Sequence, residues 1–214
     1  MNRGIVAIVA LVATGVAAGS VSAAKPGSGE LTVAASKPQV TYGRSAVISG
    51  QLKQAPVAGQ QVALEQSPFP FGKFSEVAKA TTDATGNYSF TVTPTVSTRY
   101  RVVKAVKPKL TSAETQVNVA ILVTRRVGDK TPARGQRVRF SGRTAPALAG
   151  RPVTIERRVA DGSWKAVATT TLNAQSKYAK RVRIRRSGHY RATVAGTDPS
   201  LLTGHSRRIR LRVH

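Results

Sequence analysis

Apolar and polar residues alternate in short runs along most of this chain, and this pattern predicts β-strands. Ala46, Ile48 and Leu52 alternate with more polar residues in one run, and Tyr88 and Phe90 do so in another. A period of two residues places one face of a strand against a core and the other in water. No long segment after the N-terminal apolar stretch has the period of a helix, so we expect an all-β protein.

The runs belong to an internal repeat of about ninety residues. Gly43–Gly50 returns as Gly135–Gly142, and Ala58–Glu65 returns as Ala149–Glu156. The positions that follow repeat in the same order: Phe74 with Trp164, Val77 with Val167, Tyr88 with Tyr178, and Tyr100 with Tyr190. Two copies of one domain follow, and we place domain 1 at residues 25–120 and domain 2 at residues 121–214.

Each copy contains about seven short strands separated by turn residues, with no segment for a crossover helix. This arrangement is typical of an antiparallel immunoglobulin-like sandwich. We therefore predict two tandem immunoglobulin-like β-sandwiches. The stretch Thr115–Thr124 that joins them contains no Gly, Pro or Ser, so we also expect a short, stiff joint.

One tyrosine begins the penultimate strand of each copy. Tyr100 and Tyr190 occupy the place of a tyrosine corner, in which the hydroxyl donates to backbone upstream. The alternative is an ordinary strand tyrosine. Val102 and Ala192 stand where antibody domains carry a cysteine, which fits a core without a disulfide.

The motifs of domain 1 also resemble a known family. They are Tyr42-Gly43, Ser49-Gly50, 56–59, 62–65, 83–90 and 98–101. Together they look like the Ig-like repeats in secreted and surface proteins of high-GC Gram-positive bacteria, over essentially the whole mature chain. Domain 2 departs at the turn 173–177, which lacks the glycine of its counterpart. The resemblance implies an extracellular binding, spacer or adhesion module without catalytic residues.

The N-terminus has the three parts of a secretory signal. A basic start at Arg3 precedes an apolar run from Gly4 to Ala18, and small residues follow to Ala24. The alternative, an uncleaved anchor, would need about 20 apolar residues, more than this run offers. We therefore expect residues 1–24 to be a signal peptide, and the mature protein to be extracellular with no transmembrane segment. Release into the medium and retention on the cell envelope both stay open.

The residue inventory argues against an active site. The chain has no cysteine, three histidines and nine dispersed acidic residues. No zinc, calcium, phosphate-loop or nucleophile-elbow motif occurs, and one carboxylate in the turn 83–87 is too few for a calcium cage. We therefore predict no enzyme, no cofactor and no metal site. A pocket that brings His189 to a carboxylate would contradict this prediction.

Charge distinguishes the two copies. Domain 1 has 11 basic and 5 acidic residues. Domain 2 has 4 acidic residues and 22 basic residues, and 18 of the basic residues are arginine. Nine of these arginines replace neutral or acidic residues of domain 1 and fall out of phase with the apolar positions, so they should point outward. They are Arg137, Arg139, Arg143, Arg181, Arg183, Arg185, Arg208, Arg210 and Arg212.

The predicted topology groups these arginines. The second and fifth strands are neighbours in an immunoglobulin sheet, so the first six should form one panel, while the last three should form a second stripe on the other sheet. Lys180, which replaces Phe90 at an inward position, should need a bulge or an extended side chain.

The surplus of arginine favours an anionic partner over a merely solvated face. Solubility needs a net charge of only about 2 to 8, and like charges across strands are destabilising. The predicted partners are an anionic cell-wall polymer, an acidic glycan or an anionic membrane surface. Nucleic acid is disfavoured because the aromatic residues of domain 2 fall at core positions.

A second hypothesis is a protein-binding adhesin or structural spacer that uses a loop of domain 1. Phe69 and Phe71 stand at a hairpin tip, where they could anchor another surface protein. The alternative is that both rings fold back onto their own sheet.

Overall fold

The computed structural model describes residues 30–196 and 198–214. The predicted signal peptide at residues 1–24 lies outside the described residues. Every helix or strand in the described ranges is a β-strand. The all-β prediction is therefore confirmed.

Nine strands form the first sandwich. They are β1 (Ala34–Ala35), β2 (Gln39–Thr41), β3 (Ala46–Gln51), β4 (Gln61–Pro68), β5 (Ser75–Thr81), β6 (Asn87–Val92), β7 (Thr98–Lys104), β8 (Leu110–Thr111) and β9 (Thr115–Ala120). One sheet has the order β1-β3-β6, and the other has the order β2-β9-β7-β4-β5, with β8 paired to β7. β2 runs parallel to β9, and the other pairs are antiparallel.

Nine further strands form the second sandwich. They are β10 (Leu122–Val123), β11 (Arg126–Val127), β12 (Arg137–Ala145), β13 (Pro152–Arg158), β14 (Trp164–Thr171), β15 (Lys177–Arg183), β16 (Gly188–Val194), β17 (Gly204–His205) and β18 (Ile209–Leu211). β12 is flanked by β10, β11 and β15 in one sheet, and the other has the order β14-β13-β16 with β17 and β18 beside β16.

The strand count exceeds the predicted seven per copy because strands at the sandwich margins are divided. In domain 1 the first strand is split between the two sheets, as β1 and β2, and the last strand is split into β8 and β9, which both pair with β7. In domain 2 the first strand is split into β10 and β11, which both pair with β12, and the last strand is split into β17 and β18, which both pair with β16. The predicted neighbours are nevertheless correct, since β3 pairs with β6 and β12 with β15.

The core of each sandwich is mainly aliphatic. Ile48, Leu52 and Leu64 are fully buried in the first sandwich, and Ile155 and Leu211 are fully buried in the second. Burial of such a side chain contributes roughly 1.5–3 kcal/mol. Domains without disulfides depend on this packing.

In each copy a glycine of the second strand and a tyrosine of the fifth strand lie against one backbone carbonyl of the segment beside the second strand. The hydroxyl of Tyr178 donates to the carbonyl oxygen of Thr124 at 2.9 Å, and Gly142 lies opposite Tyr178 in the ladder. A side chain on Gly142 would collide with that carbonyl oxygen and lie 2.8 Å from Cε1 of Tyr178. The Tyr88 hydroxyl and the Thr32 carbonyl repeat the arrangement in domain 1.

The tyrosine corner is present in domain 2. The Tyr190 hydroxyl donates to the carbonyl oxygen of Arg186 at 2.7 Å, and the ring is 2% exposed. Tyr100 is equally buried, but its hydroxyl interacts with the side chain of Thr98, and burial raises its pKa.

Replacing Tyr190 with phenylalanine is expected to destabilise domain 2 by about 1 kcal/mol, the usual net worth of one hydrogen bond. The denaturation midpoint followed by the fluorescence of Trp164, the single tryptophan, measures the effect. Arg186→Ala is the control, because it keeps the accepting carbonyl. An unchanged midpoint in Tyr190→Phe would contradict a structural role for the corner.

Backbone hydrogen bonds join the two sandwiches. Residues 198–203, which precede β17, reach back to the junction of the two domains, where the Leu202 N–H donates to the Val119 carbonyl at 2.7 Å and the Leu202 carbonyl accepts from the Ile121 N–H at 3.0 Å. The Ser97 N–H donates to Ser200 at 2.8 Å. These bonds and the uninterrupted chain from β9 to β10 agree with the predicted stiff joint.

The edge strands β5 and β14 carry a bulge at matching places. The register shifts so that Val77 in β5 and Val167 in β14 have no partner across the ladder. Both side chains are exposed, at 44% and 42%. A bulge bends an edge and interrupts its row of hydrogen-bonding groups.

Candidate functional site

The candidate site lies on the outer face of the sheet that contains β12 and β15. These strands pair in continuous register, so their outward residues form rows across the sheet. Two rows consist of arginine alone, Arg137 opposite Arg183 and Arg139 opposite Arg181. Arg143 lies opposite Lys177, which makes a third basic row. The predicted panel therefore exists as a set of cross-strand pairs of like charge.

All nine arginines of the prediction are exposed. Within the described ranges, none of their guanidinium groups forms an ion pair with a carboxylate. Arg185 lies two residues beyond the end of β15, at the margin of the panel. The panel thus carries positive charge that the protein itself leaves uncompensated.

The remaining three arginines lie on the other sheet, as expected. Arg210 is on β18 opposite His189, and Arg208 and Arg212 flank that strand. They form a second stripe, separated from the panel by the thickness of the sandwich.

Lys180 faces Phe140 in the ladder without a register shift, so the suggested bulge is absent. Its side chain is exposed, while Phe140 is fully buried. The lysine therefore leaves the core position of Phe90 and extends to solvent from the sheet margin.

A groove of about 910 Å³ interrupts the panel, and sequence reasoning missed it. Its floor includes Ser141 and Ala179, a small neutral pair that lies between basic rows. Five cationic side chains line it: Arg125, Arg126, Arg139, Arg143 and Lys177. Arg126 pairs with Ser141 from the other side, so cations approach from three strands. Of these five cations the sequence analysis predicted Arg139 and Arg143 as panel residues and missed Arg125, Arg126 and Lys177.

Domain 1 has a corresponding groove without the basic side chains. Its lining includes Thr32, Ser49, Gln51, Asp83 and Asn87, and it has a volume of about 700 Å³. The pairing of Ala34 with Ser49 matches that of Arg126 with Ser141, which fixes the correspondence. The groove is therefore a property of the fold, and its basic lining is a property of domain 2.

The outer face of the second sheet uses its arginine differently. Arg191 binds Glu156 at 2.7 Å and lies 4.1 Å from the ring centre of Trp164. Domain 1 repeats this cluster with Arg101, Glu65 and Phe74 at 2.6 Å and 4.1 Å. An arginine held between a carboxylate and an aromatic ring stabilises the sheet and is not available to a partner.

The phenylalanine loop folds back partly onto its own domain. The rings of Phe69 and Phe71 meet edge to face at 5.4 Å, and both side chains are half-buried. The guanidinium of Arg99 lies 4.4 Å from the centre of the Phe71 ring. The role of this loop in partner binding stays a prediction.

Catalytic and metal-binding groups do not gather in the described part of the chain. His189 has no hydrogen bond or ion pair to a carboxylate there. The Thr193 hydroxyl donates to Glu156 at 2.7 Å, so its oxygen accepts the hydrogen bond from His205 Nδ1 at 2.9 Å. No group of three metal-ligating side chains occurs among residues 30–196 and 198–214. The same residues contain no apolar helix of membrane-spanning length.

The strand pairing defines the class of protein: an all-β chain of tandem Ig-like sandwiches. No protein-family model matches the chain. No curated protein matches it either.

Solved structures to which the chain is similar include three Ig-like proteins. The D0-D1 domain of intimin is 10% identical over 85% of this chain and 97% of that chain, with a TM-score of 0.33. The teleost fish polymeric Ig receptor ectodomain is 11% identical over 86% and 97%, with a TM-score of 0.40. Murine CEACAM1b is 14% identical over 86% and 100%, with a TM-score of 0.33. Because these TM-scores are low, the assignment of the fold rests on the strand pairing and not on these similarities.

Proposed function

We propose that this chain is an exported, non-enzymatic protein that associates with an anionic polymer of the cell envelope through the basic panel of domain 2. In this proposal it is one of the Ig-like repeat proteins of high-GC Gram-positive bacteria, with domain 1 at residues 25–120 and domain 2 at residues 121–214. Its place is outside the cell, on or near the envelope.

One observation carries the proposal: arginines of like charge stand directly opposite one another on the panel. The pairs Arg137 with Arg183 and Arg139 with Arg181 have no carboxylate beside them in the described structure. Such pairs weaken a sheet when nothing neutralises them. An anionic polymer would remove this repulsion and gain several charge-assisted contacts at once.

The chemistry of arginine limits the chemical classes to which the partner can belong. Its planar guanidinium matches phosphate and carboxylate groups in two-pronged contacts, which a lysine does not make. A wall polymer, an acidic glycan and an anionic lipid surface all present such groups in repeats. The absence of exposed aromatic residues on the panel disfavours single-stranded nucleic acid, which stacks its bases on such rings.

Retention on isolated cell envelopes tests the proposal. The wild-type protein is expected to bind at low salt and to elute as salt rises, because ions screen and replace the contacts. The variant with Arg137, Arg139, Arg181 and Arg183 all changed to glutamine should elute at much lower salt.

The matched control removes the same charge elsewhere. Changing Lys53, Lys73, Lys107 and Lys109 to glutamine neutralises four exposed lysines of domain 1. This variant should elute close to the wild type. Equal losses in the two variants would mean that net charge matters and the panel does not, and wild-type retention that ignores salt would exclude the proposal.

A further inference from the structure

The groove of domain 2 is shaped to admit a group between the basic rows. The floor pair Ser141 and Ala179 has small side chains, whereas the rows on either side carry arginine and lysine. The side chains of Arg126, Arg139 and Lys177 line it from β11, β12 and β15 in turn. A ligand group in this space would meet cations from several directions.

The comparison with domain 1 shows a consistent change of charge. At six positions that line the groove of domain 2, this domain has more positive or less negative charge than the corresponding residues of domain 1. The replacements are Val33 by Arg125, Ala34 by Arg126, Val47 by Arg139, Gln51 by Arg143, Asp83 by Asn173, and Asn87 by Lys177. Both grooves are formed by the same fold, so the packing of the sandwich does not require the basic residues.

Arg125 is a cation without an anion. Its Nε and Nη2 atoms donate to the carbonyl oxygens of Arg207 and Arg208 at 2.6 and 2.9 Å. No carboxylate accompanies it in the described structure, and the partial desolvation of its guanidinium lowers its pKa. The backbone carbonyls orient the group but do not neutralise its charge.

We infer that this groove binds a tetrahedral oxyanion, a phosphate group of the polymer, while the arginines outside it hold the polymer by charge alone. The inference rests on the proposed function. A planar carboxylate directs its two oxygens in one plane, which a single guanidinium satisfies. A tetrahedral phosphate directs oxygens toward donors on three strands at once, which is the arrangement in the groove.

Asn173→Asp is a probe that preserves the structure. Asn173 Oδ1 accepts the backbone N–H groups of Gln175 and Lys177 at 3.1 and 2.9 Å. In domain 1 the carboxylate of Asp83 accepts the matching N–H groups of Thr85 and Asn87, both at 2.8 Å. The turn therefore accommodates aspartate. The hydrogen bonds from Asn87 and Thr85 lower the pKa of Asp83 to about 2, so a carboxylate at this position is ionised at neutral pH.

The experiment compares binding to linear polyphosphate and to polyglutamate of equal charge, by calorimetry at one salt concentration. Wild type is expected to prefer polyphosphate. Asn173→Asp should weaken polyphosphate binding about tenfold while changing polyglutamate binding little, because residue 173 lines the groove and the new negative charge would repel a phosphate there. Arg137→Gln is the matched control, with the same change of net charge at a panel position outside the groove, and should weaken both polymers alike.

These outcomes distinguish a phosphate site in the groove from attraction of the polymer by the charge of the panel. An unchanged ratio of the two affinities in Asn173→Asp overturns the phosphate site and leaves the proposed function intact. Failure of the wild type to bind either polymer overturns the proposed function itself. The midpoint of the Trp164 transition verifies that each variant is folded.

Discussion

Replacing Gly142 with valine is expected to destabilise domain 2 by about 3 kcal/mol, the upper end of the usual cost of overpacking. The new side chain would meet the Thr124 carbonyl and the ring of Tyr178, both fixed by their mutual hydrogen bond. Neither can move without breaking that bond. Since a domain is stable by only about 5–15 kcal/mol, the loss is a large share of the total.

The fluorescence of Trp164 follows this effect, since the residue lies on β14 of the same sandwich. Gly128→Ala is a suitable control, because a Cβ there would meet nothing closer than 3.8 Å. Gly50→Val should cause a comparable loss in domain 1, detected by circular dichroism. A denaturation midpoint for Gly142→Val equal to that of the control would show that the space between Gly142, the Thr124 carbonyl and the Tyr178 ring is not rigidly constrained.

Transfer of the panel to domain 1 is expected to restore retention to a chain that has lost it. The starting variant carries glutamine at Arg137, Arg139, Arg181 and Arg183. The grafted variant adds arginine at the corresponding positions in domain 1, which are Val47 on β3, Thr91 on β6, and Ser45 and Thr93 directly beside these strands. Val47 pairs with Thr91, and the side chains of Ser45 and Thr93 are 2.9 Å apart, so the graft recreates two opposed pairs.

The gain should be about 4 kcal/mol, or roughly a thousandfold in affinity, if each arginine contributes about 1 kcal/mol near an anionic surface. Salt elution from envelopes measures it. A control graft places four arginines at scattered exposed positions of domain 1, Gln39, Ala58, Ser75 and Ala105. Recovery by the scattered graft as well as by the paired graft would refute the importance of the paired arrangement.

The repeat predicted the fold well because it aligned two independent copies of the same apolar pattern. The phase of that pattern placed all nine arginines outward, and the structure agrees. The adjacency of the second and fifth strands followed from the immunoglobulin topology. Both inferences use only the local period and the class of fold.

The local period and the class of fold do not predict the groove. Its lining joins Arg126 on β11 with Lys177 on β15, residues far apart in the chain and in no shared motif. The room at its floor depends on the register that places Ser141 opposite Ala179. For Lys180 the sequence left two alternatives, a bulge or an extended side chain, and the structure has the extended side chain.

The bulges at Val77 and Val167 bear on what happens when many copies gather along one polymer. An anionic chain that binds the panel would raise the local concentration of protein until neighbouring molecules touch. Straight, unpaired edges would then join into continuous sheets and grow into fibres. Edge strands bent by a bulge do not align in this way. A coated polymer should therefore carry separate, individually folded molecules that dissociate one at a time when salt displaces them.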